Sequence, residues 1–135
     1  MRITNTLVKN KLFATEVRGH TILVDQPVEN GGDDQGPTPP EIFVTALGTC
    51  VGVYAISFCE KHHIPTDGLT VHTDWEKGTG PTRIAGMTVT IALPAGIPAD
   101  KYQAFMRTVE QCLIHNTLTH TPEVHIALVE PATPV

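Results

Sequence analysis

The chain has 135 residues, a formal net charge of -5 and nine Lys and Arg residues, a length that suits one domain, residues 1–135, built on a single core. Its 41% hydrophobic and 17% charged content is that of a globular protein; no apolar run approaches the roughly 20 residues a membrane helix needs, and the scattered cations form no stripe to neutralise phosphates. A bilayer span and a nucleic-acid partner are therefore set aside, and a start of Met1-Arg2-Ile3-Thr4, with no basic lead into an apolar stretch, makes the cytoplasm the expected location.

Short β-prone runs come first: Leu7-Val8, Leu12-Phe13-Ala14 and Thr21-Ile22-Leu23-Val24, with Asn10 and Gly19 marking hairpin turns. Residues 30–40 are rich in Gly and Pro and offer almost nothing to bury, so they read as a surface loop. Thr38 is the candidate N-cap of a helix whose first turn holds Pro39, Pro40 and Glu41, residues that tolerate or favour the positive end of a helix dipole. This helix runs to about His62 or His63, stopped by Pro65 and Gly68, and is apolar or small nearly all round, as a central buried helix should be. Leu69, Val71, Thr73 and Trp75 then alternate, as do Met87, Val89, Ile91 and Leu93, with a turn at residues 77–82: a β-hairpin. Pro98-Ala99-Asp100 opens a second amphipathic helix through Tyr102, Phe105, Val109, Cys112 and Leu113, and Val124, Ile126 and Leu128 alternate as a last strand. The order β-β-β-α-β-β-α-β predicts an α+β domain with an antiparallel sheet and two helices, the first long and central.

Three cysteines cannot all pair within one molecule, and a reducing compartment leaves room only for a transient disulfide. Cys50 sits in Gly48-Thr49-Cys50-Val51-Gly52, where two glycines thin the helix surface and admit a close neighbour. By position alone it reads first as a small buried hydrophobe, the usual fate of a free cysteine. Cys59, nine residues on, turns to the opposite face of the same helix and reads as packing. Glu41 is also nine residues from Cys50, so to serve that thiol it must come from a second subunit or across a bend. Cys112 and His115 form a lone Cys-x-x-His pair with no second pair to match, too weak a pattern for zinc.

The run Gly36-Pro37-Thr38-Pro39-Pro40-Glu41-Ile42-Phe43-Val44-Thr45-Ala46-Leu47-Gly48-Thr49-Cys50, preceded by Gly19-His20-Thr21-Ile22-Leu23-Val24-Asp25 and Gly31-Gly32 and followed far along by Cys112 with His115-Asn116-Thr117-Leu118, strongly resembles the OsmC/Ohr family of thiol peroxidases. The resemblance spans essentially the whole chain. It implies an intertwined homodimer with central helices at its core, and reduction of hydroperoxides, organic ones especially, without metal or cofactor. Carried over by position, it makes Cys50 the peroxidatic cysteine, Cys112 the resolving one, and Glu41 the partner of a catalytic arginine, for which Arg18 is the candidate. The implied reductant is a dithiol, a lipoyl-bearing protein or another small one. Leu113 stands where many members carry Pro, which sets the chain nearer the OsmC-like than the organic-hydroperoxide branch. The competing expectation is an OsmC-like protein whose reactive thiol binds or senses a small molecule without efficient turnover.

Overall fold

A computed structural model of the chain describes residues 1–131. Three antiparallel strands, β1 (Asn5–Lys9), β2 (Leu12–Val17) and β3 (His20–Val24), form one sheet in that order. Both expected hairpin turns are present. Asn10 has φ 48°, and between the paired residues Val17 and His20 the chain turns through Arg18 and Gly19 at φ 50° and 82°. Positive φ at both central residues matches the right-handed twist of the flanking strands.

Residues 30–40 are more than a surface loop. They wrap the carboxylate of Asp25, 1% exposed, which accepts from the backbone N–H of Gln26 at 2.7 Å and of Gln35 at 3.0 Å. Gly36 is required there, since a Cβ would lie 2.5 Å from the Leu23 carbonyl oxygen. Sequence reading missed this because the buried group is a charged side chain surrounded by backbone donors, which leaves no hydrophobic signature.

The loop delivers the chain into α1 (Pro39–Lys61) through the expected N-cap. Thr38 is extended at φ -77°, ψ 161° and forms a capping box with Glu41, satisfying donors that the first helical turn leaves orphaned. Eight α1 residues are buried, among them Leu47, Val51, Ala55 and Phe58. Against the expectation, α1 is long and apolar enough to cross a membrane by length and composition alone. Its buried side, however, packs on protein: β4 (Thr70–Gly78), α2 (Tyr102–Val109) and α3 (Leu113–Thr119) all contact it. Gly48 and Gly52 lie directly over Thr73 and Val71 of β4, so these glycines admit a sheet.

β4 pairs with β5 (Arg83–Ala92) as the expected hairpin. Val71 opposes Ile91, Thr73 opposes Val89 and Trp75 opposes Met87, so the two alternating sets stand on one face and turn it toward the core. That core joins the buried face of α1 to Phe105, Val109 and Cys112, with Met87, Val89 and Ile91 half-buried beside it. Phe58 and Phe105 meet edge to face at 5.4 Å, a geometry worth about 0.5–1.5 kcal/mol beyond area burial.

The fold is α+β as expected, with three departures. Among the described residues there are two antiparallel sheets, three strands and two, with no hydrogen bonds between them. The second helix is broken into α2 and α3. No strand forms over residues 121–131, where Val124, Ile126 and Leu128 are exposed. Alternation specifies which side chains share a face, but a strand exists only where a neighbouring edge supplies the ladder, and this segment meets none within the described chain.

Candidate active site

The break between α2 and α3 sets the position of Cys112. The sequence expectation carried this residue inside a continuous helix. Instead, α2 ends at Val109 and Cys112 is extended (φ -50°, ψ 132°) as the N-cap of α3, its Sγ accepting from the backbone N–H of His115 at 3.5 Å. A thiol in the role usually filled by Ser or Asp is thereby fixed at a helix N-terminus. Cys112 is fully buried, while Cys50, about three turns into α1, is half-exposed.

The two thiols are near neighbours, Cys50 packing against the core cluster that holds Cys112, and both remain free. Burial pushes the Cys112 thiol up and the neighbouring Cys50 adds to that, while the backbone N–H groups of His115 and Ile114 pull it down; the net shift is upward. Cys112 is thus held as a thiol in the resting site, because the charged form is poorly solvated there. Cys59 is also fully buried, and burial pushes its thiol up too. It packs in the core as the helix geometry anticipated.

Glu41 and Arg18 lie elsewhere in the chain's own fold. The Glu41 Oε1 accepts from the Thr38 hydroxyl at 2.7 Å and the Thr38 N–H at 3.2 Å, and these bonds, the hydroxyl first, hold its carboxyl below the ordinary range. On a straight helix, Glu41 is about 13 Å up the axis from Cys50. Arg18 is exposed at the β2–β3 turn. Among the described residues no Lys or Arg forms an ion pair, so Arg18 and Glu41 are not paired within a single chain. No group of three or more potential metal ligands occurs among the described residues, and Cys112 meets His115 only through the backbone N–H.

Two cavities are lined by the elements that carry the thiols, though neither cysteine is in their walls. One, of about 900 Å³, lies between β5, α1, α2 and α3, with largely apolar walls that reach His115. The other, about 450 Å³, is lined by Tyr54, Gln111, Leu113, Asn116, Thr117 and His120. The His115 ring sits in the first turn of α3, with Nδ1 2.8 Å from the Glu110 carbonyl oxygen.

The model of the family described as OsmC-like protein matches residues 31–127. No curated protein matches the chain in sequence. Among solved structures it is similar to a Psychrobacter arcticus 273-4 protein named for osmotic stress induction and detoxification response, with 17% identity, 85% of each chain covered and a TM-score of 0.77. It is similar to an OsmC-like protein from Mycoplasma pneumoniae, with 18% identity over 89% of this chain and 87% of that one and a TM-score of 0.73. It is also similar to an organic hydroperoxide resistance protein from Elizabethkingia anophelis, with 20% identity, 90% of each chain and a TM-score of 0.62. At such identities the likeness concerns the fold.

Proposed function

The chain belongs to the OsmC-like protein family, and on that footing we propose that it is a thiol-dependent peroxidase that reduces organic hydroperoxides, with Cys50 as nucleophile and Cys112 as resolving cysteine. The observation that carries this reading is the proximity of a half-exposed and a buried thiol contributed by two separate elements. The Cys50 thiolate attacks the outer peroxide oxygen; an S–O bond forms, the O–O bond breaks, and the alkoxide takes a proton and leaves as the alcohol. The Cys112 sulfur then attacks the Cys50 sulfenic acid. The S–S bond forms, the S–O bond breaks, and the departing hydroxide combines with the proton lost by Cys112 to give water. An external dithiol, lipoyl-bearing or small, reduces the disulfide by exchange. The name of the Elizabethkingia neighbour, hydroperoxide resistance, supports the substrate class, and three free thiols suit a cytoplasmic location.

Three features support a homodimer in which Arg18 and Glu41 act across the interface. The β1–β3 sheet makes no extensive contact with the helices or with the β4–β5 hairpin of its own chain and leaves Leu7, Val8 and Phe13 exposed. α1 presents an open stripe of Thr45, Thr49, Val53 and Ile56 along a second groove. The alternating segment at residues 124–128 has no ladder partner among the described residues. A guanidinium brought to Cys50 by the second copy would favour the thiolate and stabilise the departing oxygen.

The exposed, unpaired Arg18 favours one alternative, a reactive thiol that binds a small molecule without turning over. Cumene hydroperoxide with dihydrolipoamide separates the two readings. The peroxidase consumes many equivalents, passes through one Cys50–Cys112 crosslink by mass spectrometry and leaves Cys59 free. Cys50→Ser abolishes consumption, and Cys112→Ser reacts once and stalls as the sulfenic or a higher acid. Multiple turnovers in Cys50→Ser, or wild-type cycling in Cys112→Ser, contradict these roles.

A further inference from the structure

We propose that His115 is the head-group anchor of the large cavity, an assignment that rests on the peroxidase reading above. The cavity of about 900 Å³ is walled by apolar side chains, among them Met87, Val89, Ile91, Ile97, Phe105 and Met106. Its polar wall residues are Thr90, Tyr102, Glu110 and His115; the first three are exposed, and His115 alone is half-buried. His115 is therefore the polar side chain of the wall with least access to bulk water.

The ring also has a fixed sense. Its Nδ1 lies 2.8 Å from the Glu110 carbonyl oxygen, which only accepts, so Nδ1 carries the hydrogen. In the neutral imidazole Nε2 is then an acceptor, and it has no hydrogen-bond partner among the described residues. Apolar walls with one anchored acceptor select a ligand with an apolar body and a single donor at its head. A hydroperoxide ROOH has that form, as does its alcohol product ROH. The same residue's backbone N–H bonds Cys112 Sγ, and Cys50 is a near neighbour of Cys112, so the anchor sits on the turn that carries Cys112 of the thiol pair, although neither cysteine lines the cavity.

The test uses the reduced full chain and two unreactive probes with one skeleton, 2-phenyl-2-propanol and its methyl ether, titrated while the methyl signals of Met87 and Met106 are followed by NMR. The wild type is expected to bind the alcohol about tenfold more tightly than the ether, the scale of one hydrogen bond. His115→Leu should bind both alike, and His115→Gln, whose amide oxygen also accepts, should recover the preference. A preference that survives in His115→Leu, or methionine methyls that do not respond, overturns the assignment. Dimedone trapping of Cys50 after cumene hydroperoxide, on the same samples, reads the peroxide chemistry separately. A Cys50 that never oxidises counts against the peroxidase reading, whereas unchanged probe selectivity counts against His115.

Discussion

Glu41 closes the N-terminus of α1 through Thr38 and is also the residue proposed to hold Arg18 near Cys50, and these two roles need different chemistry. The cap needs an acceptor at this position, which Gln supplies, whereas the arginine needs a charge. Glu41→Gln should therefore keep the wild-type melting temperature but lose about tenfold in peroxidase rate, and Glu41→Ala should lose both. Arg18→Ala should match Glu41→Gln in rate, about one pKa unit's worth of thiolate stabilisation. If Glu41→Gln turns over at the wild-type rate, Glu41 is a cap only. Asp25 carries a separate prediction. Backbone bonding from Gln35, opposed by burial, holds its carboxyl below the ordinary range. A depressed carboxyl contributes stability above its unfolded value of about 3.9, lost as pH falls through the folded value. Asp25→Asn should melt lower than wild type at about pH 7, and the gap should narrow as pH falls below about 4; a gap constant with pH contradicts this. Cys50 and Cys112 were legible because their flanking runs are distinctive, whereas Asp25 and the His115 ring were not, since their partners are backbone groups assembled by loops and helix breaks.

At the level of elements, the sequence pattern was most informative where one chain completes the structure. The limits of α1 followed from Thr38 at its start and from Pro65 and Gly68 beyond its end, and the β4–β5 hairpin and its inward face followed from alternation. The α2–α3 break did not, because Phe105, Val109 and Cys112 all remain buried; one apolar face can be built by a continuous helix or by two short ones meeting at a cap. The glycines of α1 give this packing a measurable form. A Cβ on Gly48 would lie 2.7 Å from the Thr73 hydroxyl, whereas one on Gly52 would meet Val71 Cγ2 at 3.3 Å. Ala in place of Gly gains roughly 1 kcal/mol in a helix interior, while overpacking against a stiff, β-branched neighbour costs about 1–3 kcal/mol. Gly48→Ala should therefore lower stability to urea by about 1 kcal/mol, and Gly52→Ala should lie within about 0.5 kcal/mol of wild type. The reverse order would mean that α1 and β4 sit differently.

For the whole molecule, the proposed homodimer turns on the apolar surface that a single chain leaves open. Val53 is 60% exposed and Phe43 43% exposed on a helix that is apolar nearly all round, and together with the exposed Leu7 and Val8 of β1 and Ile126 and Leu128 near the C-terminus they give several separate apolar faces. Apolar patches this numerous on a small chain call for cover. Periodicity marks such a face as one to be buried, but it does not say whether the cover comes from the same chain, which is why α1 read as central and the segment at residues 124–128 read as paired. An obligate interface of about 2,000 Å² or more is expected, resembling a core cut in half, and sedimentation at micromolar concentration should give a dimer. Val53→Glu discriminates further. In a free monomer this change places a charge in water and has almost no effect on stability, typically within about 0.5 kcal/mol. In the dimer it buries an unpaired carboxylate at the helix-lined groove, at a cost of several kcal/mol. The expected outcome is a variant that sediments as a monomer or melts at least about 10 °C lower and loses peroxidase activity with its second subunit; a Val53→Glu protein with wild-type mass, melting temperature and rate places the interface away from this face of α1.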